Sequence, residues 1–151
     1  MLTLSRILLA LAVIAVVSAQ PSAGQNTSGT GGFDERQVQP SGLSVDQARQ
    51  LLVVVLQHEK LMVNKPGFNI ENIEFVPGYV NFFVTYDSPK AGATDVIGGF
   101  AVSPRTGDVW ETTLCKRYQF RTLSDIQKRI MEKTGKRFAT NDEAKEELGC
   151  D

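Results

Sequence analysis

The spacing of apolar and polar residues along the chain predicts its elements in order. An unbroken apolar run from Ile7 to Val17 follows the single base Arg6 and ends at Ser18-Ala19. A short basic region, an apolar stretch and small residues at a cleavage point predict a secretory signal over residues 1–19, cut near Ala19. The run is 11 residues long, whereas a spanning helix needs about 20. No stable membrane anchor is therefore expected after cleavage. Residues 20–42 are rich in Gly, Ser, Gln and Pro, with little apolar beyond Phe33 and Val38. Such a stretch buries too little surface to order itself, which predicts a disordered linker.

From Leu43 the pattern changes to that of a folded domain reaching residue 151. Ser44-Val45-Asp46-Gln47 has the form of a capping box, in which Ser44 and Gln47 satisfy each other's free amides. Ala48, Leu51, Leu52, Val55 and Met62 then recur at helical spacing, up to Asn64-Lys65-Pro66-Gly67. Val53-Val54-Val55 is a poor helix-forming run and suits a helix packed on a sheet. Alternating or dense β-branched segments follow at Ile70–Val76, Tyr79–Tyr86, Asp95–Ser103 and Asp108–Leu114. Turn residues separate them, with Pro104-Arg105-Thr106-Gly107 predicting a tight hairpin. Thr122-Leu123-Ser124-Asp125 predicts a capped helix to about Lys133, and Asn141–Leu148 a short one. The expected fold is α+β: an N-terminal helix on a four-stranded antiparallel sheet, then two C-terminal helices. All helices are expected on one sheet face.

Composition narrows the function by exclusion. Of 151 residues, the formal charge is −1, so no global field directs the chain to nucleic acid. A single histidine excludes a two-histidine metal site, and no nucleophile elbow, phosphate loop or dinucleotide fingerprint occurs. No enzyme activity, cofactor or metal is expected. Cys115 and Cys150 are the two cysteines, and in an oxidising compartment a lone pair predicts one disulfide. Lys116–Arg137 carries eight bases against two acids, and Asp142–Asp151 five acids against one base. The bridge would draw the acidic tail against the basic helix and neutralise it; otherwise segment 116–137 is itself a binding surface.

Ser44-Val45-Asp46-Gln47-Ala48, with the later Phe100–Trp110 segment containing Thr106-Gly107-Asp108-Val109, resembles the PepSY domain pattern. The likeness covers residues 43–110, leaving 116–151 as a helical extension. It implies a small extracytoplasmic binding or inhibitor module that restrains a peptidase, and it implies no catalytic residues. The alternative is an immunity-type protein that neutralises an exported cell-wall hydrolase. A further alternative is a small-ligand pocket between helix and sheet using His58 and Tyr86. The expected partner is a protein of the cell envelope or outside the cell, met in the periplasm or after secretion. The candidate interaction surface is the hairpin tip with Arg105, Thr106 and Trp110, since Trp and Arg dominate interface energies. The competing assignment makes Trp110 part of the core beside Val109.

Overall fold

A computed structural model describes residues 32–61, 63–90 and 92–150. The expected signal segment lies outside the described residues. Helix α1 runs Val45–His58, followed by strands β1 (Phe68–Ile73), β2 (Val80–Ser88), β3 (Ala93–Val102), β4 (Val109–Glu111) and β5 (Lys116–Arg117). Helices α2 (Arg121–Thr134) and α3 (Asn141–Leu148) complete the chain. The strands form one antiparallel sheet in the order β1-β2-β3-β4-β5. The α+β fold is as expected, with a fifth strand added. That strand is two residues long, too short to leave an alternation in the sequence.

The start of α1 follows its local signals. Ser44 Oγ accepts from the Gln47 amide at 3.2 Å, and Gln47 Oε1 accepts from the Ser44 amide at 2.9 Å. Ala48, Leu51, Leu52, Val55 and Leu56 are buried. They meet Phe82, Val84, Phe100, Val102 and Val109 from the sheet and Leu123, Ile126 and Ile130 from α2. Helix α2 starts one residue before Thr122, at Arg121, with Phe120 at the cap position and no side-chain cap bond. Packing of Leu123, Ile126 and Ile130 thus sets its start more than capping does. It ends at Gly135, whose φ of 67° is the left-handed geometry glycine adopts without strain.

The hairpin between β3 and β4 lies under α2. Gly107 has a φ of 69°, and a Cβ there would lie 2.6 Å from Ile130 Cδ1 and 3.2 Å from Leu51 Cδ2. Gln127 Nε2 donates to the Gly107 carbonyl at 2.9 Å, and Thr134 Oγ1 to that of Arg105 at 2.6 Å. Only a residue without a side chain allows this approach of turn to helix.

The segment expected to be linker is partly folded. Val38 is 4% exposed and belongs to the core, with Phe33 packed against it. A 3-10 turn spans Glu35–Gln37. Glu35 pairs with Arg129 at 2.9 Å, and Lys133 Nζ donates to the Arg36 carbonyl at 2.8 Å. Two isolated apolar side chains in a polar run leave no periodicity, so the sequence pattern missed this strap.

Helix α3 departs from the expected arrangement. Along β3 and β4 the side chains alternate: Phe100, Val102 and Val109 face α1 and α2. Ala101 and Trp110 join Ala144, Leu148 and Cys150 in a second cluster. Helix α3 therefore covers the opposite sheet face from α1 and α2. A capping box between Thr140 and Glu143 starts it, and these hydrogen bonds hold the Glu143 carboxyl below its ordinary pKa. The Cys115–Cys150 disulfide, with Cα atoms 5.6 Å apart, fastens its end to the turn after β4. An eight-residue helix is too short to persist alone in water. Replacing both cysteines by Ser should lower stability by about 3 kcal/mol, on a loop-closure argument. Denaturant titration of the oxidised protein against the double variant checks this. Equal midpoints would defeat it.

Candidate interaction surface

Burial redraws the candidate surface at the hairpin. Arg105 is exposed, but Thr106 and Trp110 are buried, Trp110 to 1% exposure. Trp110 Nε1 donates to Asp108 Oδ2 at 3.0 Å, and Arg117 Nε donates to Asp108 Oδ1 at 2.8 Å. The Arg117 guanidinium also reaches Asn141 Oδ1 at 2.8 Å and lies 4.6 Å from the Phe138 ring centroid. Asp108 thus holds two donors at once in the wall between sheet and α3. Of the three hairpin residues, Arg105 alone offers a partner exposed surface.

His58 is exposed at the end of α1, stacked on Phe120 with ring centroids 3.8 Å apart. Glu59 accepts from Lys116 Nζ at 3.0 Å, which with His58 beside it lowers its pKa. Neither His58 nor Tyr86 lines either of the two grooves described below. Among the described residues no cluster of His, Cys, Asp or Glu has the grouping of a metal site. No described helix is long and apolar enough to cross a membrane.

Two of the three tyrosines are tied to carboxylates. Tyr118 OH donates to Glu111 Oε2 at 2.8 Å, and Tyr79 OH to Glu147 Oε2 at 3.1 Å. Burial first, then the neighbouring carboxylate, pushes both phenols above the ordinary value near 10. A raised folded pKa favours the neutral form, so stability is intact below about pH 10 and falls as pH rises beyond it. Phenolate absorbance should rise late, and Tyr118→Phe should remove part of that late rise. Ionisation of all tyrosines near pH 10 would contradict the assignment.

Charge is separated between the two sides of the sheet. Helix α2 presents Arg121, Lys128, Arg129 and Lys133 to solvent against Asp125 and Glu132, and α3 presents Asp142, Glu143, Glu146 and Glu147 against Lys145. Among the described residues no ion pair joins α2 to α3. The expected neutralisation of one by the other does not occur, because the sheet stands between them.

Two grooves open on the surface. One of about 310 Å³ lies between the end of α1 and the loop before β1, lined by Gln57, Leu61, Val63, Asn64 and Lys65. The larger, about 420 Å³, is formed by the β1–β2 loop and the strand ends on either side of it, residues 72–81, with Val45. Phe75 stands out from this loop at 67% exposure. Asn81 holds the loop from beneath, donating from Nδ2 to the carbonyls of Val76 and Tyr79 at 3.0 and 3.1 Å. Among the described residues, its Oδ1 is a buried side-chain acceptor without a partner. The sequence pattern did not single out this loop, because one exposed Phe beside Pro77-Gly78 reads as an ordinary turn.

Comparison with known proteins decides the family. Residues 42–143 match the family of the type VI secretion (T6SS) immunity protein Tgi2PP. The chain belongs to this family. The match spans α1, the sheet, α2 and the start of α3. A chain in a solved structure of a type VI secretion system effector-immunity complex from Pseudomonas protegens is similar to this one. Identity is 38%, with 79% of this chain and 98% of that one covered, at a TM-score of 0.71. No curated protein matches the sequence.

The PepSY resemblance is thereby corrected, since the family matched over those residues is the immunity family. With it goes the expectation of a PepSY-like inhibitor restraining a peptidase. The residues that suggested it have local explanations: Ser44–Ala48 is a capped helix start, and Thr106-Gly107 is a turn forced by α2. Both are solutions that unrelated α+β domains reach for the same steric reasons.

Proposed function

We propose that this chain is an immunity protein that binds a type VI secretion effector and neutralises it without catalysis. The observation that carries this reading is the family match over residues 42–143. The similarity to a chain of an effector-immunity complex supports it. The fold is suited to binding: a disulfide-fastened sheet with both faces partly covered, and no metal-ligand cluster among the described residues. The apolar run at residues 7–17 and the disulfide argue for action in the periplasm. The effector is then one that acts there, and the cell wall is the substrate such an effector meets. In the same reading residues 1–19 are removed and the folded domain begins within the segment 33–43.

The test is protection. Cells that export the toxic product of the neighbouring gene should survive when this chain is exported with it. They should die when residues 1–19 are deleted and the chain stays in the cytoplasm. Survival in neither case, with both proteins present at normal levels, would end the immunity reading.

A further inference from the structure

We propose that the groove under the β1–β2 loop is a docking site for the effector, and that it receives a cationic side chain, arginine by preference. This rests on the immunity reading, which supplies a protein partner, and adds where and through what chemistry that partner is held. Three separate observations converge on the groove. Phe75 and Val45 are large apolar side chains left exposed at its mouth, and each has surface that burial would remove from water. Asn81, 4% exposed, lines the groove with its Oδ1 unpaired. That oxygen has no surface open to solvent, and a buried acceptor without a partner costs free energy, so a small outward shift of the loop that admits a donor is favoured.

The third observation is charge. Glu74 belongs to the groove wall, Asp46 adjoins Val45, and Glu147 is hydrogen-bonded to the groove residue Tyr79. Among the described residues none of these three carboxylates is in an ion pair. The nearest base on α1, Arg49, is turned inward: it donates to the Ile70 carbonyl and lies over the Phe82 ring. The groove therefore combines an aromatic face, a carboxylate rim and an amide acceptor. An arginine fits all three, because its planar fork stacks on an aromatic ring while donating in several directions. The loop is already ordered by Asn81, so docking need only shift it and not fold it.

The experiment measures the affinity of the exported, oxidised mature protein for the purified effector against which it protects. Phe75→Ala and Glu74→Lys should each weaken binding by about thirtyfold, the size of a central contact. Thermal melts should stay unchanged, because both side chains are exposed. Leu114→Ala, a comparably exposed apolar residue in the turn after β4, and Lys128→Glu on α2 should bind as the parent does. Added salt should weaken the parent more than Glu74→Lys. Parent-like binding by Phe75→Ala and Glu74→Lys overturns the site while leaving the immunity reading intact, as does loss confined to Leu114→Ala or Lys128→Glu. Tighter binding by Glu74→Lys overturns the cationic ligand. A parent chain that neither binds nor protects overturns the immunity reading itself.

Discussion

Trp110→Ala is expected to cost about 3–5 kcal/mol of folding stability, a large fraction of what a domain of this size holds. The indole is 1% exposed and packs with Ala101, Ala144, Leu148 and Cys150. Truncation leaves a cavity between sheet and α3 that the disulfide prevents from collapsing freely, since α3 stays tethered through Cys150. It also strips Asp108 of one of its two donors. Equilibrium unfolding in denaturant measures the loss, and amide exchange should show α3 opening before the α1 side. A loss under about 1 kcal/mol would mean that the ring is not the keystone of this face.

Asp108→Ala should be of similar size, about 3–5 kcal/mol, for a different reason. The aspartate is buried and neutralises Arg117 at 2.8 Å while accepting from the indole. Removing it leaves a largely buried guanidinium that keeps its bond to Asn141 but loses its countercharge, and a buried N–H without its acceptor. Arg117→Met alone should also destabilise. The double variant should cost clearly less than the two single losses added, because charge and countercharge leave together. Additive losses would show that the pair is not coupled.

How much of this was legible in the sequence depends on how local each cause is. The α1 stripe and its capping box could be read directly, since helix periodicity and caps act within a few residues. The Gly107 turn was legible for the same reason. The position of α3 was not, because it depends on which face of β3 and β4 carries Ala101 and Trp110. Alternation says that neighbours point apart, but not which side a later helix will cover. Trp110 was for this reason open between surface and core until the sheet register was known. Val38 and Phe33 were read as part of a disordered linker because their burial comes from contact with the rest of the core, far along the chain. The Phe75 groove was hidden twice over: its exposed ring looks like a turn residue, and the unpaired acceptor on Asn81 exists only once β2 is in place.

A net excess of bases on α2 and of acids on α3, on opposite sides of the sheet, has a consequence for how fast a partner is met. Opposite charges held apart by a sheet make an electric dipole. An approaching charged protein exerts a torque on it before contact. The domain would turn its acidic side toward a cationic partner during diffusion, so fewer collisions are wasted in wrong orientations. That matters most for a protector that must reach a toxin before the toxin reaches its substrate, where the rate of capture counts as much as its strength.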